Sequence, residues 1–195
     1  MKIVLYGHPT LRKVSTEVTE INDEVKETLS QMVDKMREAN GVGLAANQVD
    51  VDKRFFVLEI DGVVKKVINP EILENSEEEI DYEEGCLSIP NVYKKVVRPE
   101  KIKVKYQNEE GEEIIEELEE MWARAFQHEL DHLDGILFVD RISPLSKRLI
   151  AKKLETLKKN FLKGKIYRVE YKLLKVFFVS FCDEEKKEVK KEEIF

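Results

Sequence analysis

The sequence predicts an α+β domain. Three observations lead there: apolar residues recur at helical spacing in three separate stretches, short runs that read as strands lie between them, and one strand pair is joined by a tight turn. Regular βαβ units would alternate strand and helix along the chain, and these elements do not. A length of 195 residues supports one core with room for an appendage.

The first helix is expected from about Asp23 to Ala39. Val25, Leu29, Met32, Val33 and Met36 fall on one face, with Asn22 as cap and Gly41 as stop. The small residues of Gly41–Val49 follow, keeping neither a helix nor a strand period. Strands are expected at Arg54–Ile60 and Val63–Ile68, the second closed by Asn69-Pro70.

Lys101–Gln107 alternates, with Ile102, Val104 and Tyr106 on one side and lysines on the other. Asn108-Glu109-Glu110-Gly111 reads as the turn to a partner strand over Glu112–Leu118. Acid opposite lysine needs no ligand, because cross-strand charge pairing accounts for it.

A second helix is expected over Glu119–Leu133, stopped near Gly135. A third starts with Ser143 as cap and Pro144 at its first position, burying Leu149, Ile150, Leu154, Leu157 and Phe161. Tyr167–Phe181 is strand-rich by composition and its Phe177-Phe178-Val179 is too apolar to stay wet, so an added edge strand and an oligomer contact both stand open for that part. Asp183–Glu193 is charged and expected to fray.

The formal net charge of -7 argues against nucleic acid as the main partner, though docking on a ribonucleoprotein through a local basic patch stays open. The apolar start, Ile3-Val4-Leu5, breaks at Gly7-His8-Pro9, too soon for a signal peptide. No run approaches the roughly 18 apolar residues that span a bilayer. The expectation is a cytoplasmic, non-membrane protein whose two cysteines, Cys86 and Cys182, are reduced.

The strongest chemical signal is His128-Glu129-Leu130-Asp131-His132 within the second helix. Residues four apart share a face, so both imidazoles can point at one ion, and Glu129 can reach water beside it. Two of the chain's three histidines fall in this spacing. A third ligand is needed. Asp134 follows too closely, and Asp140 and Glu155 remain as weaker candidates. Upstream, Cys86 in Glu84-Gly85-Cys86-Leu87-Ser88 comes from a separate segment and would give a Cys/His/His site with a position left for water. Gly41–Gln48 lacks the lysine and Ser/Thr of a phosphate loop. Its small residues let backbone approach a substrate, and Gln48 carries donors suited to an oxyanion.

Taken in order, Gly41-Val42-Gly43-Leu44-Ala45-Ala46-Asn47-Gln48, Glu84-Gly85-Cys86-Leu87-Ser88 and Gln127-His128-Glu129-Leu130-Asp131-His132 resemble the three motifs of the peptide deformylases. His8-Pro9-Thr10-Leu11-Arg12 and Asp140-Arg141-Ile142-Ser143-Pro144 look like that family too, so the resemblance covers residues 1–163 as a catalytic domain and leaves 164–195 as an extension. It implies a single α+β domain with mixed β-sheets packed around a central helix that carries the histidines. It implies Cys86, His128 and His132 on the metal, and Glu129 in acid–base work. Gln48 and the Leu87 N–H would meet the oxygen of the tetrahedral intermediate, and Val42, Gly43, Tyr82 and Ala125 would lie near the pocket for the substrate methionine.

The implied reaction removes the formyl group from formyl-methionyl nascent peptides, releasing formate by attack of metal-bound water. The implied ion is ferrous iron, with zinc, nickel or cobalt able to substitute, and a transient ribosome association stays open. Asn47 departs from the family, where proline or threonine is common, and the chain beyond 163 outruns its shorter relatives.

The runner-up is a metal-dependent endopeptidase, or a deacylase of other acyl preference. It shares His128, Glu129 and His132 but has no special need of Cys86 or Gln48. A purely structural metal site would want a fourth Cys or His, for which His8 and Cys182 are poorly placed.

Overall fold

In the computed structural model, which describes residues 1–163, helix α1 (Asp23–Glu38) begins as expected: the Asn22 side chain accepts the Val25 N–H at 3.1 Å. Its end differs. Asn40, not Gly41, adopts the left-handed conformation, with φ of 52°. The Asn40 N–H bonds the Arg37 carbonyl at 3.0 Å, and the Gly41 N–H bonds that of Met36 at 2.9 Å. This Schellman closure satisfies the last carbonyls and turns the chain straight into the first strand.

Among the described residues seven strands follow: β1 (Gly43–Ala45), β2 (Phe55–Ile60), β3 (Val63–Asn75), β4 (Glu79–Cys86), β5 (Ile89–Pro99), β6 (Lys101–Gln107) and β7 (Glu113–Glu119). Five form a sheet in the order β1-β2-β3-β6-β7, and β4 and β5 form a second. The α+β class stands, but mixed sheets do not: every described pairing is antiparallel. Among the described residues no α-helix crosses between neighbouring strands, so hairpins and direct returns set the pairing.

β3 runs past the expected stop at Asn69-Pro70. It does so by slipping register between Ile68 and Glu71 and again between Ile72 and Glu74, so Pro70 sits where the ladder needs no N–H. Asn69, at φ of 51°, holds the bulge by bonding both the N–H and the carbonyl of Val18 at 2.9 Å. The charge ladder is also wider than expected. Lys101 pairs Glu119 across β6 and β7, whereas Lys103 and Lys105 turn to Glu74 and Glu71 of β3.

β2 is apolar on both faces because it is covered on both. Phe55 and Val57 join the cluster under α1; Phe56 and Leu58 join the one under helix α2 (Glu120–Leu133). There Phe56 meets Phe126 edge-on, with ring centroids 5.0 Å apart. A third cluster joins β5 to the short helix α3 (Phe138–Arg141) and to α4 (Pro144–Leu162), and Cys86 lies in it.

α2 stops at Gly135, at φ of 71°, where an added Cβ would come within 2.9 Å of the Arg12 backbone. Ser143 caps α4 as expected, but the buried stripe is narrower: Ile150 and Leu154 are buried while Leu149 is 72% exposed. The expected strand over Tyr167–Phe181, the charged end and Cys182 lie outside the described residues.

Candidate metal centre

Three elements converge at the site. β4 ends at Cys86, which pairs with Ile89, so Leu87 and Ser88 make a two-residue turn into β5. α2 presents His128 and His132 one turn apart. The 3-10 turn Ala46–Val49 brings Gln48. The ligand atoms of Cys86, His128 and His132 lie within 4.8 Å of one another, and Cys86 Sγ is 3.1 Å from His132 Nε2. The N-terminal segment braces two of these elements together. The Val4 N–H bonds the Gln48 carbonyl and the Tyr6 N–H bonds the Ser88 carbonyl, each at 2.8 Å.

The three donors suit a borderline divalent transition ion: one thiol and two imidazoles, largely buried, with an open side. Burial, with the positive charges of His128 and Arg98, pushes His132 well below the usual imidazole value. Desolvation opposes a charge on His128 as well, but bonds to Cys86 and Glu84 outweigh it and raise its value.

His128 Nδ1 donates to Glu84 Oε2 at 2.9 Å, leaving Nε2 for an ion. Glu84 is buried, and burial would raise its carboxyl; bonds from His128 and Arg98 hold it well below the ordinary carboxylate range. Arg98 donates to Glu84 at 2.6 and 3.0 Å and to Asp131 at 2.8 Å, and Arg124 adds a bond to Glu84 at 3.1 Å. Four buried charges thus satisfy one another beneath the histidines.

Glu129 is set apart from them. Burial is the largest cause of its carboxyl being pushed up to about 7, with the Glu84 charge adding to it. Its Oε2 has no hydrogen-bond partner among the described residues, an acceptor kept for something that enters the site. Gly43 makes room for it: an added Cβ there would lie 2.3 Å from Glu129 Oε1. The Ala45 N–H donates to Gln48 Oε1 at 2.8 Å, which turns the Gln48 amino group toward Cys86 Sγ at 3.4 Å and Ser88 Oγ at 3.2 Å.

Val42, Gly43, Gln48, Tyr82, Cys86 and Leu87 line one pocket, with Ala125, His128 and Glu129 on its helical wall. His132 sits behind this lining, 1% exposed. The weaker third-ligand candidates are engaged elsewhere. Asp140 pairs with Arg12 and Lys147, Glu155 with Lys159, and Asp134 with Arg54. His8 stacks edge-on against Phe161.

Sequence reasoning missed Glu84, Arg98, Arg124, Asp131 and Ser88 as parts of the site. Glu84 and Asp131 stood inside quoted motifs, but nothing in a single sequence marks an acid as buried.

A family profile described as Polypeptide deformylase matches residues 1–148. A peptide deformylase of Fusobacterium nucleatum is 53% identical over 161 residues, covering 81% of this chain and 92% of that protein. The crystal structure of the peptide deformylase from Thermotoga maritima, 49% identical, superposes with a TM-score of 0.72 over 73% of this chain and 97% of that one. A Plasmodium falciparum peptide deformylase structure, 35% identical, gives 0.81 over 85% of this chain and all of that one, 100%.

Proposed function

The chain belongs to the polypeptide deformylase family, and on that premise we propose that Cys86, His128 and His132 hold its working ion while Glu129, Gln48 and Leu87 perform the chemistry. It is an enzyme of peptide deformylase type, a metal-dependent hydrolase, and its donor set matches the ferrous-iron motif of bacterial members. Zinc, nickel or cobalt would fit the same donors. When bound, the ion supplies Lewis acidity and draws down the pKa of water beside it.

The substrate is a formyl-methionyl nascent peptide. Its methionine side chain enters the pocket between Val42, Gly43, Tyr82 and Ala125, which places the formyl carbon by Glu129. Glu129 Oε2 takes a proton from the attacking water and returns it to the departing amine, leaving formate and a free N-terminus. The Gln48 amino group and the Leu87 N–H donate to the oxygen that becomes negative. Residues 1–163 form the catalytic unit and 164–195 an extension.

The convergence of Cys86 with His128 and His132 supports this reading most directly, because an endopeptidase has no need of that thiol. Protein prepared without oxygen should release formate from a formyl-methionyl peptide and leave the acetyl analogue nearly untouched. Equal turnover of both, or cleavage of an internal bond instead, would favour the runner-up.

Transient ribosome docking forms part of the proposal. α4 carries Lys147, Arg148, Lys152, Lys153, Lys158 and Lys159 against a single acid, Glu155, in a chain of net charge -7. Co-sedimentation with ribosomes at low salt should be lost at high salt. Such a partner places the work in the cytoplasm, and no described helix is long and apolar enough to cross a membrane.

A further inference from the structure

Arg141 stands at the end of α3, 43% exposed, yet its guanidinium faces inward. Nε and Nη2 donate to the two oxygens of Asp131, the residue just before His132 on α2. Asp131 is buried, and its Oδ2 also accepts from Arg98, whose remaining nitrogens grip both oxygens of Glu84. Glu84 in turn accepts from His128 Nδ1. An unbroken line of hydrogen bonds therefore runs from a half-exposed arginine to a proposed metal ligand.

We propose that Arg141 is a positioning residue for the metal centre, acting through Asp131, Arg98 and Glu84 on the ring of His128. Glu84 and Asp131 compete for one guanidinium. Arg98 is shared by two buried carboxylates, and its fork can face only one squarely. Arg141 supplies Asp131 with a fork of its own, so the Arg98 fork is left to Glu84. Without Arg141, Asp131 is a buried acid with one partner and draws Arg98 toward itself, which loosens Glu84 and with it the His128 ring. An ordinary half-exposed ion pair would add a little stability and do nothing to the ion.

The inference rests on the proposed metal site, and the test separates the two. Zinc affinity is measured by competition with a chromophoric chelator, and the visible bands of the cobalt-loaded protein are recorded, both far below the unfolding temperature. Arg141→Ala should bind zinc about 3- to 10-fold more weakly, a fraction of the roughly 10- to 100-fold attached to a direct ligand partner. Its cobalt bands should shift.

Arg141→Lys, which restores the charge but not the fork, should recover part of the loss. Arg54→Ala breaks another ion pair, Arg54 to Asp134 at 2.7 Å, at the C-terminal cap of the same helix and outside the Glu84 line. It should lower the unfolding temperature without touching zinc affinity. Wild-type affinity and spectrum in Arg141→Ala, or an equal loss in Arg54→Ala, would overturn the inference alone. A wild-type protein that binds neither ion would overturn the metal site and this inference with it.

Discussion

The Glu129 carboxylate fills the space that a side chain on residue 43 would need. A Cβ on Gly43 would sit 2.3 Å from Oε1 and 2.8 Å from both Cδ and Cγ. Because Gly43 lies in β1, hydrogen-bonded to β2, the strand cannot easily retreat, and the carboxylate must move instead.

Gly43→Ala should therefore cost activity more than stability. Displacing an acid–base group by about 1 Å is worth about 100-fold in rate. Deformylation kinetics beside a thermal melt will show it; an alanine variant of near wild-type kcat would mean that Glu129 need not lie where it does.

Gln48→Ala removes one of two donors aimed at the developing negative charge. The expected loss is about 100- to 1,000-fold in kcat with little change in KM, since the bond matters chiefly in the transition state. A rise in KM at constant kcat would reassign Gln48 to substrate binding.

Cys86→Ala should abolish tight metal binding and, with it, the stabilisation an ion gives by binding only the folded chain. At a thousand-fold excess over Kd that is about 4 kcal/mol. Adding a chelator should lower the unfolding temperature of the wild-type protein and leave that of Cys86→Ala unmoved. Retention of one equivalent of metal by the variant would place the third ligand elsewhere.

Acid stability should depend in part on Asp140. Burial would raise its carboxyl, but bonds from Arg12 and the Leu137 N–H, with Lys147 near, hold it below the ordinary value. A carboxyl held low in the folded state stabilises the fold above its unfolded value of about 3.9, and that contribution fades as pH falls through the folded value. Asp140→Asn should cost about 1 kcal/mol at about pH 7 and less at about pH 3. Melts at both pH values decide it, and a gap of equal width at each would show that the charge is irrelevant.

Local chemistry was legible in the sequence; long-range register was not. His128 and His132 declared themselves because helical geometry alone brings residues four apart together. Asn22 and Ser143 acted as caps for the same local reason. By contrast, the β4–β5 hairpin went unread, since its acids and lysines alternate without a clear apolar face. With it went Arg98, which meets Glu84 from fourteen residues away and Asp131 from thirty-three. The Leu149 error has a similar origin: helical spacing says which residues share a face, not how wide the neighbouring surface is. Asn69-Pro70 looked like a stop because a bulge that needs no proline N–H leaves no mark in sequence.

The strap formed by Val4 and Tyr6 carries a consequence for how the molecule matures. Its anchor points lie 44 and 82 positions downstream, and the histidine helix is later still. During synthesis Val4 and Tyr6 must wait for partners that do not yet exist, and such distant closures come slowly. A nascent copy therefore gains its reactive geometry only after the histidine helix has been made.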